Sequence, residues 1–515
     1  MKAFLMYKDR DFDLRQKSPP NEQALMQDLE LNTLFNTMAL GDDFLFEVAK
    51  KAVLSGSNDL GTIRYRQDIL KDCLKNSSIV RDIYNIVVEL IENKKRRWYS
   101  IFGNYPSSIL YSSVELLEMF VEVLKRLRNI AGEHASEFES EGFKRFFAMI
   151  EKELDDEYFG VVQNHLRELK FRNGVLMSAE LGKGNEGINY VLRKPHDRKQ
   201  SWAKRIFSKK APVYTFRLHP RDESGARVLS ELRDRGINLV ANALGQSTDH
   251  ITSFFIMLRA ELAFYVGCLN LYEQLAQIGE PISFPVPEAL GERRHSFQGL
   301  YDVCLALTMK QRIVGNDVSA DNKSLVIITG ANQGGKSTFL RSIGLSQLMM
   351  QCGMFAPAES FSSNLSAGLF THYKREEDVT MKRGKLEEEL SRMSEIINNI
   401  MPNSTVLFNE SFAATNEREG SEIAGQIVGA LLEKRIKVFF VTFLYEFAHS
   451  FHDNNAETIF LRAERQADGK RTFKLVEGEP LQTGYGEDLY NTIFDEMETE
   501  VFSQGNGVEE GDIRH

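Results

Sequence analysis

Eight consecutive residues carry the strongest chemical signal in this sequence of 515 residues. They run Gly330-Ala-Asn-Gln-Gly-Gly-Lys-Ser337, between an apolar stretch at 325–328 and a helix-like stretch at 339–350. A strand, a glycine-rich loop, a Gly-Lys-Ser triplet and a helix, in this order, are typical of the P-loop that binds nucleoside triphosphates. The alternative, an ordinary glycine turn between a strand and a helix, would not require the Lys-Ser pair. The pattern therefore predicts a phosphate-binding loop.

Each residue type in this loop suits a phosphate chain. Glycines let backbone N–H groups turn inward, and the following helix points its positive N-terminus at the phosphates. Lys336 is expected to neutralise the terminal phosphates, and the Ser337 hydroxyl to bind Mg²⁺. The predicted nucleotide-binding residues are Gly330, Ala331, Asn332, Gln333, Gly334, Gly335, Lys336, Ser337 and Thr338.

A second apolar strand ends in two polar residues, in the sequence Thr405-Val-Leu-Phe-Asn409-Glu410. A Walker B strand has this form: its first acid supports Mg²⁺, and its second polarises the attacking water. Asn409 occupies the first position, where its amide oxygen can accept a hydrogen bond from a Mg²⁺-bound water but brings no negative charge. Glu410 remains as the predicted general base. A plain turn after a strand is the alternative for Asn409 and Glu410.

The elements around these motifs divide the chain into regions. Residues 1 to about 170 repeat apolar residues at helical spacing, residues 174–193 show short strands joined by glycine turns, and helices resume at about 222–278. From about 296 to 490, apolar strands alternate with helices, which predicts a mostly parallel sheet with its chemistry at the carboxyl ends of the strands. The predicted strands are 325–329, 405–408 and 438–442.

Composition narrows the class of protein. The chain is 42% hydrophobic and 26% charged, as soluble globular proteins are, and its length predicts two to four domains. Its four cysteines are scattered without CxxC spacing, so neither zinc nor a disulfide is expected. No uninterrupted apolar run of membrane-spanning length and no signal peptide are found, so we expect a cytoplasmic protein without a membrane partner.

One segment is basic although the formal net charge of the chain is -10. It runs from 193 to 221 with aromatic residues interleaved, and it has no period that would contact base edges. We expect either sequence-independent binding to the DNA backbone or a solvated basic loop, and the sequence leaves both open. The candidate DNA-binding residues are Arg193, Lys194, Arg198, Lys199, Lys204 and Arg205.

Taken together, these motifs resemble the MutS family of DNA mismatch-repair ATPases. The similarity is specific at 327–338, 406–410, 415–424 and 441–446, and it extends upstream to 28–68 and 261–287. It implies ATP and Mg²⁺ as cofactors, Lys336 and Glu410 as catalytic residues, and Ser337 and Asn409 at the metal. It also implies a homodimer formed through the ATPase domain, in which the Gly384-Lys385 region and the Ser411–Asn416 loop complete the partner's site.

The resemblance also implies a fold class and a role. The expected fold is multidomain: a mainly α-helical core and lever region with a small β-rich insertion, followed by an α/β P-loop ATPase domain. The expected role is ATP-dependent binding to mispaired, branched or damaged DNA in repair or recombination, with the protein nucleoid-associated when bound. The helical core begins so early that we expect this short member to lack the amino-terminal mismatch-reading domain.

The predicted parts are a first helical part at 1–170, a basic clamp-like insertion at 171–221, a second helical part at 222–290, the ATPase domain at 296–490, and a C-terminal helix with a disordered tail at 491–515.

Two positions depart from the family pattern in the nucleotide site. Asn409 stands in place of Asp, and Phe443 stands where the family usually has His. Both departures affect the expected rate of hydrolysis more than the expected binding of ATP, so an ATP-gated DNA-binding scaffold with little or no hydrolysis is the alternative function. A third hypothesis, a P-loop kinase for a small molecule, is disfavoured by the long helical region before the loop.

Overall fold

A computed structural model describes residues 1–98, 105–172, 174–194, 214–375, 384–452, 457–466 and 470–481 of the chain. It is a multidomain protein of helices and mixed sheets, and its contacts divide it into two compact units. The first unit comprises residues 1–5, 9–12 and 76–262, and the second comprises residues 6–8, 13–75 and 263 onwards. The domain boundaries inferred from the sequence stay predictions.

Eight helices lie among the described residues before position 170. They are α1 (Glu22–Asp28), α2 (Leu31–Ala39), α3 (Asp43–Leu54), α4 (Leu60–Lys75), α5 (Ser77–Trp98), α6 (Pro106–His134), α7 (Glu141–Glu153) and α8 (Asp156–Leu169). The apolar residues that predicted helix α6 are buried, from Val114 to Leu127, and Pro106 starts this helix at a position where its missing N–H costs nothing. The predicted helical character is thus confirmed from Glu22 onwards.

Residues 1–21, all of which the structure describes, contain no helix, so this part of the helical prediction is wrong. Within the first unit, the buried carboxylate of Glu261 holds the start of the chain instead. It accepts hydrogen bonds from the backbone N–H groups of Leu5 (2.7 Å) and Phe12 (3.1 Å). These bonds to a distant side chain replace the ones that a helix would supply.

The first unit also contains a small antiparallel sheet of β1 (Met177–Leu181) and β2 (Gly187–Leu192), as predicted from the glycine turns. Helix α9 (Glu223–Ile278) follows, and its first part, up to residue 262, belongs to this unit. Ile237 and Ala241 of α9 pack with Leu110 of α6, and Leu192 of β2 lies against this cluster. The cluster fixes the sheet onto two long helices.

Helix α9 is, within the described part of the chain, the one helix that is long and apolar enough to cross a membrane. Length and composition alone give this result, although the sequence shows no uninterrupted apolar run. Of its most apolar 18-residue window, 83% is buried inside the protein, as in the core helix of a globular protein.

Among its described residues, the second unit contains ten strands in two sheets. They are β3 (Val286–Glu288), β4 (His295–Leu300), β5 (Asn316–Ser319), β6 (Leu325–Gly330), β7 (Ser360–Asn364), β8 (Leu369–Tyr373), β9 (Thr405–Asn409), β10 (Lys437–Val441), β11 (Thr458–Arg465) and β12 (Arg471–Glu477). The larger sheet has the order β12-β11-β6-β10-β9-β8 and is parallel except for β12, while the smaller has the order β3-β7-β4-β5. The three strands predicted from apolar runs are β6, β9 and β10, and the prediction of a mostly parallel sheet is confirmed.

Helices pack against the buried parallel strands of the larger sheet, as such strands require. They are α11 (Lys336–Gln351), α12 (Lys385–Asn399), α13 (Glu417–Glu433) and α14 (Tyr445–Ser450), while the short α10 (Val303–Met309) packs against α2 and α11. On one face, Phe408 of β9 stacks on Phe440 of β10, and Phe447 of α14 and Val428 of α13 pack in the same apolar core. This core fixes the register of β9 and β10, and with it the position of the residues that follow each strand.

Candidate functional site

The glycine loop, residues 330–338, leaves the carboxyl end of β6, the strand between β10 and β11. Gly330 has a φ of +109°, and a Cβ there would stand 2.8 Å from the backbone N of Ala463 on β11. Gly335 has a φ of +85° and caps the N-terminus of α11. Side chains at these two positions would strain the backbone or clash with β11, so the loop needs glycine there.

Lys336 is the first residue of α11, and its side chain folds back over the loop. Its Nζ donates hydrogen bonds to the backbone O of Gly330 (3.0 Å) and of Ala331 (2.8 Å). The residue is 5% exposed, and burial lowers the pKa of its ammonium group to about 8, although the nearby Glu410 carboxylate acts in the opposite direction. The site therefore holds a poorly solvated cation that a phosphate would stabilise.

The two predicted metal ligands come together. The Ser337 hydroxyl donates a hydrogen bond of 2.9 Å to Oδ1 of Asn409, although 72 residues separate them in the chain. Parallel pairing explains this, because Val441 on β10 is level with Ile328 on β6 and with Asn409 on β9. Both groups offer oxygen atoms, the ligand type that Mg²⁺ takes beside waters and phosphates, but neither is the charged carboxylate through which proteins usually hold this ion.

Glu410 directly follows β9 and lines the same cleft as the glycine loop. Its backbone N–H donates to the O of Val441 (2.9 Å), and its φ of +54° is unusual for a residue with a side chain. Phe412, two residues further on, is also in the left-handed region, at +62°. Strained backbone of this kind persists only where the surroundings hold it.

A buried network holds the loop that follows Glu410. The Glu389 carboxylate accepts a hydrogen bond from the backbone N–H of Phe412 (2.7 Å), and the carbonyl O of Glu389 lies 2.9 Å from Nε2 of His372. Nδ1 of the same ring lies 2.7 Å from the hydroxyl of Ser411. Burial raises the pKa of Glu389 and lowers the pKa of His372 to about 4. A neutral imidazole and a carboxyl group thus connect β8 and α12 to the backbone beside Glu410.

The charge state of His372 makes stability depend on pH. A neutral ring donates from Nε2 and accepts the Ser411 proton; a protonated ring needs that hydroxyl to turn to the carbonyl O of His372, 2.6 Å away. The His372 ring takes up a proton near pH 6.5 in the unfolded chain but only near pH 4 in the folded protein. The free energy of unfolding therefore falls as the pH drops through this range, by about 3 kcal/mol.

We therefore expect His372→Gln to flatten the pH dependence of the free energy of unfolding between pH 6.5 and 4, measured by urea titration. The exposed His250→Gln is the matched control and should keep the slope of the wild-type protein. His295, whose pKa burial also lowers, is present in both variants and cancels. Equal slopes in His372→Gln and the wild-type protein would contradict the assignment of this proton to His372.

The glycine loop forms one wall of a cleft of about 530 Å³, a volume within the range of small-molecule sites. Residues 332–338 and Glu410 line it, whereas Gly330 and Ala331 contribute through their bonds to Lys336. The apolar part of its lining is Leu300, Tyr301, Leu305, Met309, Ile313, Val314, Phe339, Phe443 and Phe473. The cleft thus combines a polar phosphate-sized end with apolar walls.

Two residues of this site escaped sequence analysis. Phe473 lines the cleft from β12, in the left-handed region with a φ of +60°, and Arg471 of the same strand donates from Nε to the O of Asn332 (3.2 Å). Strand β12 lies about 140 positions after the loop, and no motif precedes it. Its antiparallel pairing with β11 brings it to the loop, and this pairing has no local sequence signal.

The end of β10 also meets the cleft. Thr442, which directly follows this strand, is buried, and its hydroxyl accepts a hydrogen bond from the backbone N–H of Leu444 (2.9 Å). The next residue, Phe443, lines the cleft instead and is 42% exposed. The end of this strand therefore presents an aromatic ring to the cleft, and not a hydroxyl.

The candidate DNA-binding residues lie partly within the described chain. Arg193 and Lys194 are exposed just after β2, where Arg193 Nε donates to the Ser178 hydroxyl (2.8 Å) and Lys194 pairs with Glu168 (2.9 Å). Arg198, Lys199, Lys204 and Arg205 lie outside the described residues. The DNA contacts stay a prediction, as does the role of the Gly384-Lys385 region, which begins α12, and of the Ser411–Asn416 loop.

Comparison with known proteins gives two family matches. The MutS2 N-terminal domain matches residues 58–278, and MutS domain V matches residues 326–493. The second range includes the glycine loop and both strands, β9 and β10, whose ends meet it. The first range includes α4 to α9 and the small sheet of β1 and β2.

Curated relatives carry the same family name. "MutS protein homolog 4" of Mus musculus is 29% identical over 152 residues, which are 30% of this chain and 16% of that protein. "DNA mismatch repair protein MutS" of Syntrophomonas wolfei is 31% identical over 190 residues (36% and 22%), and that of Thermus aquaticus is 28% identical over 226 residues (44% and 27%). The chain thus spans between 16% and 27% of these relatives. It belongs to the MutS family.

Proposed function

We propose that this chain is an ATP-dependent DNA-binding protein of the MutS type, a dimeric ATPase that acts on mispaired, branched or damaged DNA in repair or recombination. The observation that carries the proposal is the meeting of four groups at one end of a parallel sheet: the Lys336 ammonium, the Ser337 hydroxyl, the Asn409 amide and the Glu410 carboxylate. Such a set is suited to phosphoryl transfer to water, which needs positioning and charge more than covalent chemistry.

Each residue has a defined task in this mechanism. The backbone N–H groups of the glycine loop and the N-terminus of α11 cradle the phosphates. Lys336 releases one of its two bonds to the loop carbonyls and bonds to phosphate oxygens instead. Ser337 and Asn409 would hold Mg²⁺, which supplies positive charge to the phosphates when bound. Glu410, held by its backbone bond to β10, accepts a proton from the attacking water.

In this proposal DNA is bound by the basic residues that follow β2. The ion pair of Lys194 with Glu168 is exposed, so it contributes little to stability and Lys194 can exchange it for a phosphate. Family membership supports a homodimer formed through the ATPase domain, in which ATP binding changes the geometry of the dimer and thus its hold on DNA. We place this activity in the cytoplasm, at the nucleoid, without a membrane partner.

The DNA contact makes a quantitative prediction. Changing Arg193, Lys194, Arg198 and Lys199 together to Ala should weaken duplex binding and make the slope of log K against log salt shallower by about 3 to 4. Each phosphate contact that is lost lowers the number of counterions released on binding. Fluorescence anisotropy at several salt concentrations measures this slope. A control variant should keep the wild-type slope while it removes four exposed cations elsewhere: Lys144, Lys310, Lys434 and Arg435. An unchanged slope in the first variant would leave a solvated basic loop.

The alternative function is an ATP-gated DNA-binding scaffold with little or no hydrolysis. Asn409 favours it, because the amide brings no charge to the metal, and so does Phe443, whose ring occupies the cleft where a polar group would assist the γ-phosphate. In this case ATP still changes the grip on DNA but is not consumed.

ATP turnover, measured with and without mispaired, branched and single-stranded DNA and alongside DNA affinities, tests the proposal. Turnover that one of these DNAs changes supports the ATPase. ATP binding and DNA binding without turnover support the scaffold. A protein that binds neither ATP nor DNA would contradict both.

A further inference from the structure

The aromatic ring of Phe443 lies over the ammonium group of Lys336. The ring centroid is 4.4 Å from Lys336 Nζ, within the distance of a cation–π contact. Phe443 is 42% exposed inside the cleft, so its ring is not part of the core behind β10. Lys336, by contrast, is almost fully buried. The ring therefore covers a cation that would otherwise face the cleft.

This contact completes the bonding of the ammonium group. Two of its three N–H donors are used by the carbonyl oxygens of Gly330 and Ala331. A phosphate oxygen bonded to Nζ stands about 2.8 Å away, and at a centroid distance of 4.4 Å no atom fits between the ring and the ammonium. A phosphate that approaches Lys336 from this side must displace the ring.

We infer that Phe443 is a gate for the γ-phosphate, so that the protein selects ADP over ATP until the ring moves. The inference rests on the proposed nucleotide site and adds a specificity-determining residue to it. A diphosphate needs one donor from Lys336, which a loop carbonyl can release. A triphosphate needs donors for both its β- and γ-phosphates, and the second one requires the ring to leave.

The chain explains why the ring stands there. The Thr442 hydroxyl is bound to the backbone N–H of Leu444, and the backbone N–H of Thr442 donates to the O of Ile328 (3.0 Å) on β6. These bonds fix the backbone on either side of Phe443. Movement of the gate is therefore a rotation of the Phe443 side chain, with β10 unchanged.

The test is the ratio of ATP affinity to ADP affinity, measured by calorimetry with Mg²⁺ on the full chain. Phe443→Ala removes the ring, and its ratio should rise about 10- to 30-fold above that of the wild-type protein, the size of a desolvated cation–π contact. Phe443→Tyr keeps the ring face and is the matched control, with an unchanged ratio. Because the side chain is partly exposed, both variants should fold, which circular dichroism checks.

The outcomes separate the gate from the site itself. The gate is contradicted if Phe443→Ala keeps the wild-type ratio of ATP affinity to ADP affinity, or if Phe443→Tyr raises this ratio as much as Phe443→Ala does. In both cases the nucleotide site itself is still supported. If neither the wild-type protein nor any variant binds an adenine nucleotide, the proposed function fails and the gate fails with it.

Discussion

Replacing Glu410 by Gln should lower ATP turnover by about 10²- to 10⁴-fold, the usual contribution of a general base. The amide keeps the size of the side chain and the backbone bond to Val441, but it cannot accept a proton from water. ATP affinity should change little, so the effect falls on kcat. Glu433→Gln, an exposed change at the end of α13, is the control and should keep the wild-type rate.

The neighbouring Asn409 tests the same chemistry in the opposite direction. Asn409→Asp restores a charge beside the Ser337 hydroxyl and should raise turnover. If Phe443 also limits the reaction, the double change Asn409→Asp with Phe443→His should raise it further. Should neither variant exceed the wild-type protein, and should Glu410→Gln have no effect, ATP is a bound ligand here and the hydrolytic mechanism is wrong.

Lys336→Ala should weaken ATP binding by at least about 100-fold, because it removes two charge-assisted bonds that each contribute about 1.5–3 kcal/mol. Isothermal titration calorimetry measures the loss. The fold should survive, since burial disfavours the charge of Lys336, as its lowered pKa indicates, and Ala removes a buried cation without leaving an unpaired one. The midpoint of thermal unfolding should therefore change little, because this gain is offset by the loss of the two bonds to the loop carbonyls.

Lys434→Ala removes a charge of the same sign from an exposed position and is the matched control for this affinity. It should bind ATP as the wild-type protein does. Wild-type affinity in Lys336→Ala would overturn the assignment of the glycine loop as the phosphate site, whatever the other variants show.

The glycine loop and the strand ends that meet it were predictable because their signals are local. Consecutive apolar residues, as in 325–328, indicate a buried strand. Glycines at fixed spacing followed by Lys336 indicate a phosphate-binding loop. The meeting of Ser337 with Asn409 followed from the rule that parallel strands present their carboxyl ends at one edge.

The rest of the site depends on tertiary packing. Phe473 comes from an antiparallel edge strand, and the bond of Glu389 to Phe412 joins α12 to a turn 23 residues away. Sequence identified Phe443 as unusual, but only the structure places its ring over Lys336. The helical pattern wrongly predicted helix at residues 1–21. There the carboxylate of Glu261, far along the chain, accepts hydrogen bonds from backbone N–H groups.

The measurement that tests the central claim most directly is the affinity for a branched duplex in three states: without nucleotide, with ADP, and with ATP and Mg²⁺. If the nucleotide site and DNA binding are coupled, the affinity with ATP should differ from that without nucleotide by about 5- to 150-fold, and DNA should change the affinity for ATP by the same factor. This result is expected whether or not ATP is hydrolysed. Equal DNA affinity in all three states, with ATP bound, would contradict the account.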